Sequence, residues 1–200
     1  MPRLAILLLT ALLLSGCGYN AMQSADEQVK ADWSEVVNQY QRRADLIPNL
    51  VSTVKGYAAH EQAVLTQVTE ARAQVGSVRL DAGQLTDEQA VKNFQNAQGQ
   101  LSSALSRLLA VSENYPQLKA DSLFQDLLAQ LEGTENRITV ARSRYVKAVQ
   151  AYNVLVRQFP GNLTAMAFGY QPKANFSVAN EAEVSVAPKV DFNTAPHREG

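Results

Sequence analysis

Residues 121–160 read DSLFQDLLAQLEGTENRITVARSRYVKAVQAYNVLVRQFP. Apolar or small residues recur there at alternating spacings of three and four, at Leu131, Thr134, Ile138, Ala141, Tyr145, Ala148, Tyr152, Leu155 and Phe159. A heptad pattern kept over this length is typical of a coiled-coil helix that packs along a partner helix. At about 1.5 Å per residue the helix would be about 55 Å long. It therefore needs long antiparallel neighbours, which short connections can supply.

Three further helices are predicted upstream from apolar residues at helical spacing. The first should end at residues 45–47, because the residue before Pro48 is disfavoured in the α region. Pro48 then suits the first turn of a second helix, which fades by Gly76. A single helix kinked at Pro48 is the alternative. Residues 86–89 read TDEQ, which matches a capping box and starts a third helix that stops before Pro116.

These elements predict an all-α chain with an antiparallel four-helix bundle of long helices over residues 25–160. Residues 161–200 are predicted to form a C-terminal segment and a largely irregular tail. The segment is small and apolar at first and could fold back on one end of the bundle. Two proline residues and several charges then give the last part the composition of an extended, mobile tail.

The N-terminus predicts export and lipidation. Arg3 precedes an apolar run at residues 4–14, which is shorter than the roughly 20 residues that a spanning helix needs and has the length of a signal-peptide core. It leads through Leu-Ser-Gly to Cys17, the single cysteine of the chain, in an order that resembles the bacterial lipobox. We expect a signal peptide at residues 1–16, a palmitate-type lipid on Cys17, and a linker over residues 17–24.

Composition argues against several classes of function. The 200 residues include 18 basic and 19 acidic ones, a balance that gives no basic face for nucleic acid. The two histidines, His60 and His197, lie far apart, and no His-Glu-x-x-His spacing or phosphate-binding glycine loop is present. Glu132 and Glu135 share one helix, where carboxylates among basic residues usually form a solvated face. The sequence therefore predicts no enzyme activity, no metal site and no cofactor.

One group of polar residues remains as a candidate interaction or turn-fixing site. Its members lie near the predicted first turn or on the fourth helix, and they are Arg42, Arg43, Asp45, Asn49, Asn136 and Arg142. Buried arginine and aspartate pairs could fix the turn and the helix register. Alternatively, an arginine-lined patch could receive a carboxylate or phosphate of a partner, which the planar guanidinium group suits.

Several stretches together resemble the LemA family. They are Tyr19-Asn20, Trp33-Ser34, residues 42–51 (RRADLIPNLV), 54–58, 60–61, 108–116, 135–138, 141–145, 152–153 and 159–160. The resemblance implies a membrane-anchored helical protein that faces away from the cytoplasm and has no agreed biochemical activity. The chain departs from the family pattern in carrying a lipobox where members often have a transmembrane segment. Val146 also stands where the pattern often has asparagine.

The expected function is that of a non-catalytic cell-envelope lipoprotein, an adaptor or scaffold that binds another envelope protein through its bundle. A bundle that binds a small ligand or a lipid is the alternative, and a homo-oligomer is compatible with both. Gly18 follows Cys17 in place of the aspartate associated with inner-membrane retention. We therefore expect the outer membrane, facing the periplasm, or the cell surface in a host with one membrane.

Overall fold

Six α-helices make up the part of the chain that the computed structural model describes, which is residues 2–176 for the backbone and 18–176 for the side chains. They are α1 (Pro2–Tyr57), α2 (Gln62–Ser77), α3 (Glu88–Ser112), α4 (Pro116–Lys119), α5 (Ser122–Arg157) and α6 (Gly161–Phe168), with a 3-10 turn at Ala82–Gln84. No strand occurs within residues 2–176, and the predicted all-α class is confirmed. None of the helices in this range combines the length and the apolar character needed to cross a bilayer. The Cys17 side chain and those of the expected signal peptide, residues 1–16, lie outside the description.

The two longest helices, α1 and α5, pack against each other in opposite directions. Midway along the pair, the ring centroids of Trp33 and Tyr145 lie 5.2 Å apart. At the far end, the Tyr57 hydroxyl donates to an Asp121 carboxylate oxygen at 2.7 Å. Asp121 also caps α5 by accepting the backbone N–H of Phe124 at 2.9 Å, as is typical of aspartate at a helix N-terminus. Residue numbers therefore rise along α1 as they fall along α5.

α2 and α3 form a second antiparallel pair, and α2 also packs on α1. Arg107 donates to the Gln67 side chain at 3.3 Å, and the Tyr115 hydroxyl donates to Glu61 at 3.0 Å. The backbones of α3 and α5 approach each other less closely than those of these pairs, although their buried side chains belong to one apolar cluster. One side of the molecule between these two helices is open.

The helix end predicted at Pro48 is wrong: α1 passes through this residue and ends at Tyr57. A proline inside a helix leaves the carbonyl four residues earlier without its N–H donor. Here that carbonyl belongs to Ala44, and it accepts the Arg72 Nε–H at 3.0 Å. The chain turns instead at residues 58–61. A side chain of α2 thus replaces the hydrogen bond that would otherwise favour a break in α1.

The buried stripe of α5 departs from the predicted heptad in its second half. Val149 and Val156 are buried, whereas Ala148 and Leu155 are half-buried and Phe159 is 79% exposed. An α-helix drifts by about 20° per heptad relative to a strict seven-residue repeat. Over several heptads the drift moves the buried stripe by one residue, which explains the change of register.

The first part of the C-terminal segment predicted for residues 161–200 is helical. Residues 161–168 form α6, which packs on both α1 and α5. Gly169 ends the helix in the left-handed region, with φ of 74°, a conformation that glycine adopts without strain. Residues 177–200, for which a mobile tail is expected, lie outside the description.

Residues 169–176, here called the strap, lie along α5. The Tyr152 hydroxyl donates to the Gln171 carbonyl at 3.0 Å, and the Tyr145 hydroxyl donates to the Ala174 carbonyl at 2.9 Å. The Asn153 side-chain amide makes two hydrogen bonds of 2.8 Å with Lys173: it donates to the backbone carbonyl and accepts from the backbone N–H. Side chains of α5 therefore satisfy backbone groups that secondary structure would otherwise pair.

Candidate functional site

The guanidinium of Arg43 lies in the interior of the protein, with the residue only 1% exposed. It follows Tyr40 on the buried face of α1, where the sequence otherwise places apolar side chains. Nη1 donates to Ser102 Oγ at 2.8 Å and to Glu135 Oε1 at 2.9 Å. Nη2 donates to the side-chain and backbone oxygens of Gln98, at 2.6 and 3.2 Å. One charged group therefore links α1 to both α3 and α5.

Two observations show that the environment of Arg43 is asymmetric. Its Nε–H is buried and has no hydrogen-bond partner. Its carboxylate partner, Glu135, has a side chain that is 44% exposed, so the negative charge remains in contact with water. A buried cation of this kind costs free energy unless hydrogen bonds satisfy it. The four bonds to α3 and α5 offset that cost and fix the distance between the two helices.

A second arginine, Arg142, extends the network to the strap. Its Nη1 donates to the Tyr40 hydroxyl at 3.1 Å, and its guanidinium carbon lies 4.6 Å from the centroid of the Phe176 ring. The Arg43 guanidinium lies 5.1 Å from the centroid of the Tyr40 ring. Tyr40 therefore joins the two arginines through a hydrogen bond on one side and a cation–π contact on the other.

The open side between α3 and α5 forms a cleft of about 1090 Å³. Most of its lining side chains are polar or charged, contributed by all four long helices. They include Arg43, Lys92, Gln98, Ser102, Ser103, Arg107, Glu135, Thr139 and Arg142. Apolar atoms are thus a smaller part of the surface than in sites that bind small apolar molecules. The cleft suits a partner that presents hydrogen-bonding groups.

Among the described residues, no three His, Cys, Asp or Glu side chains gather where they could hold a metal ion. Hydrogen bonds from the Phe124 backbone N–H and then from the Tyr57 hydroxyl hold the pKa of Asp121 below its usual value. A general acid at neutral pH needs the opposite shift, so this carboxylate acts as a helix cap.

The structure separates the six residues proposed from the sequence. Arg43 and Arg142 come together at the cleft, and the other four lie exposed on the helices: Arg42, Asp45, Asn49 and Asn136. Because α1 continues through Pro48, there is no turn at this point for Asp45 to fix. Its carboxylate accepts instead from the neighbouring Gln41 on the same helix, at 2.8 Å.

Sequence reasoning did not single out Gln98, Ser102 or Tyr40, and it treated Glu135 as part of a solvated face. Gln98 and Tyr40 are both buried. The available signal was the arginine itself: Arg43 follows Tyr40 by three residues and so continues the apolar face of α1. A charge at such a position requires polar partners on the helices that face it.

A second polar cluster joins the beginning of α1 to the strap. Asp26 forms ion pairs of 2.8 Å with Lys30 and with the buried Lys173. Burial alone would raise the pKa of Asp26, but the hydrogen bonds from both lysines outweigh it and hold that pKa below its usual value. The Lys173 ammonium also lies 5.1 Å from the ring centroid of Tyr152, whose pKa burial raises to about 12.

The described part of the chain is therefore an all-helical protein with a polar cleft on one side. A sequence model of the LemA family matches residues 32–192. The chain belongs to the LemA family.

Magnetosome proteins from two bacteria are similar in sequence to this chain. Magnetosome protein MamQ 1 and magnetosome protein MamQ 2 of Paramagnetospirillum magneticum are each 26% identical to this chain over 169 residues. Magnetosome protein MamQ of Magnetospirillum gryphiswaldense is 27% identical over the same length. Each alignment covers 76% of this chain and 62% of the relative, so the chain spans less than two thirds of these relatives.

Proposed function

We propose that this protein is a non-catalytic scaffold of the bacterial cell envelope, anchored through a lipid on Cys17. In this proposal α1, α2, α3 and α5 act as an antiparallel four-helix bundle, and the cleft between α3 and α5 holds a segment of another envelope protein. The observation that carries the proposal is the polar cleft itself, which opens between α3 and α5. Membership of the LemA family and the magnetosome relatives support an association with a membrane.

The dimensions of the cleft suit a short peptide segment. Its lining on α3 runs from Lys92 to Arg107, which at about 1.5 Å per residue is a length of about 22 Å. An extended chain rises by about 3.3 Å per residue, so about seven residues would fill this length. The hydrogen-bonding side chains along both walls match the backbone groups of such a segment.

The height of the cleft above the membrane restricts which part of the partner it can reach. Along α1, Arg43 lies 26 residues after Cys17, or about 39 Å at the helical rise. A lipid on Cys17 would therefore place the cleft well outside the bilayer. The partner must present a periplasmic or extracellular segment, and we propose the outer membrane, facing the periplasm, as the location.

A polar small ligand is the second candidate, favoured by the volume of the cleft. Cavities for small molecules are typically about 300 to 1,000 Å³, and the volume of this one lies just above that range. A lipid is a poor fit, because its acyl chains would face glutamine, serine and arginine side chains. The long and open shape favours a peptide segment over either ligand.

Two neighbouring residues of α5 provide a matched test. Thr139 lines the cleft, whereas Val140 is 51% exposed and does not line it. A photo-reactive amino acid at Thr139 in the full-length protein in cells should give an adduct with another envelope protein, and the same amino acid at Val140 should not. Equal adducts at both positions, or none at either, would contradict the proposal. An adduct with a second copy of the chain at Thr139 would identify the partner segment as part of a homo-oligomer.

A further inference from the structure

α6 and the short stretch of chain just before it carry a dense group of exposed apolar side chains. Large hydrophobic residues that are well exposed are few in the described part of the chain, and four of them lie between residues 159 and 168. They are Phe159 at 79%, Leu163 at 56%, Met166 at 80% and Phe168 at 63%. Ala165, on the opposite side of α6, is 3% exposed. The helix therefore packs through a small residue and presents its large apolar side chains to the outside.

This apolar patch lies at the anchored end of the molecule. α6 packs across the first described residues of α1: the Tyr19 and Phe168 rings are 4.8 Å apart, and the Tyr170 hydroxyl donates to Gln23 at 2.6 Å. Thr164 of α6 lies beside Gly18. Cys17 and the apolar run at residues 4–14 immediately precede this contact in the chain. An N-terminus that is held in a bilayer, whether by the lipid or by the apolar run, therefore places α6 next to the same bilayer.

The patch also lacks charge. No residue from Gln158 to Pro172 is ionisable except Tyr170, and the nearest charged residues are Arg157 and Lys173. Lys173 is occupied by its buried ion pair with Asp26. An exposed apolar patch of this kind is unusual on a surface that faces only water, and it marks an interaction site. Helices that lie in a membrane interface bury large apolar side chains such as leucine and phenylalanine in the same way.

We propose that α6 is a membrane-contact helix, which lies in the interface of the bilayer with Phe159, Leu163, Met166 and Phe168 among the lipid headgroups and upper acyl chains. This inference rests on the anchoring that is part of the proposed function. The patch supplies a second, non-covalent contact beside the lipid of Cys17. Because two contacts define an orientation that one flexible lipid attachment does not, α6 holds the bundle at a fixed angle and the cleft at a fixed height.

Fluorescence quenching in vesicles tests this contact. The full-length protein is reconstituted into vesicles of phosphatidylethanolamine and phosphatidylglycerol, with or without bromine on the acyl chains near the glycerol. Met166→Trp reports on α6, and Leu123→Trp is the matched control, since Leu123 is also an exposed apolar residue (56%) but lies at the opposite end of α5. The emission of the buried Trp33, measured in the unsubstituted protein, is subtracted from both.

The brominated lipid should reduce the emission of Met166→Trp by about twofold or more and leave that of Leu123→Trp unchanged, as for a side chain about 5–10 Å deep in the interface. Flotation of the same vesicles separates the two hypotheses. Protein that floats with the vesicles while Met166→Trp is quenched no more than Leu123→Trp would overturn the membrane-contact helix and leave the anchor standing. Protein that does not float would overturn both.

Discussion

Removing the carboxylate of Glu135 should destabilise the protein, because it leaves the buried guanidinium of Arg43 without the carboxylate with which it pairs. Loss of one member of a fully buried ion pair costs about 3–5 kcal/mol. The Glu135 side chain is 44% exposed, so water can replace part of the lost interaction. We therefore expect Glu135→Ala to lower the free energy of unfolding by about 1.5–3 kcal/mol, the range for hydrogen bonds to a charged group. Glu135→Gln retains an acceptor and should cost less than about 1 kcal/mol.

A double-mutant cycle isolates this interaction from side effects. Arg43→Met keeps much of the side-chain volume and removes the charge, so the loss of Glu135 should matter little in that background. The two single costs should then exceed the cost of the double variant by about 2 kcal/mol. Urea unfolding of the full-length protein in mild detergent provides the free energies. Trp33 is the reporter, since it is the only tryptophan, is 2% exposed and packs against the Tyr145 ring. Costs that add to within about 0.3 kcal/mol would refute the reasoning.

Three further predictions concern other parts of the molecule. Arg72→Ala should lower the free energy of unfolding by about 1–3 kcal/mol, because it leaves the Ala44 carbonyl without a hydrogen-bond donor. Pro48→Ala restores a backbone N–H for this carbonyl and should reduce the cost of Arg72→Ala. An equal cost of Arg72→Ala with proline or alanine at position 48 would contradict the account. Asp26 has a lowered pKa, so its stabilising contribution is complete above the pKa of an unfolded aspartate, about 3.9, and is lost as the pH falls through the folded value. The difference in unfolding free energy between the protein and Asp26→Asn should accordingly vanish in acid, whereas a constant difference would show that the ion pair with Lys173 is not its source. In cells, an alkyne analogue of palmitate should label the protein and not Cys17→Ala. Labelling of both forms to the same extent would place the lipid on another residue, and labelling of neither would refute the lipid anchor.

The helices could be predicted from the sequence more reliably than their ends. Long apolar periodicity predicts α5, and the cap at Asp121 is visible in the sequence because it depends on a local residue type. The path of α1 through Pro48 was predicted wrongly, since it depends on a hydrogen bond from Arg72 that is 28 residues away. A tertiary contact of that kind has no local signal.

The candidate site, too, could be predicted from the sequence only in part. Arg43 could be identified as a candidate from its place in the run RRADLIPNLV at residues 42–51. Its partners Gln98 and Ser102 lie more than 50 residues away on α3, and nothing in their immediate sequence distinguishes them from surface residues. The cleft is a property of the packing between α3 and α5, which follows from the arrangement of all four long helices and not from the pattern of any one of them.

The most direct test of the scaffold proposal is amine-specific cross-linking of the native protein in cells, followed by mass spectrometry, with Cys17→Ala as the comparison. Lys92 lines the cleft, and the exposed Lys147 of α5 does not. The proposal predicts cross-links from Lys92 to one other envelope protein, which are absent from Lys147 and lost without the anchor. Cross-links that are as frequent at Lys147 as at Lys92, or that are unchanged in Cys17→Ala, would contradict an anchored scaffold that works through this cleft.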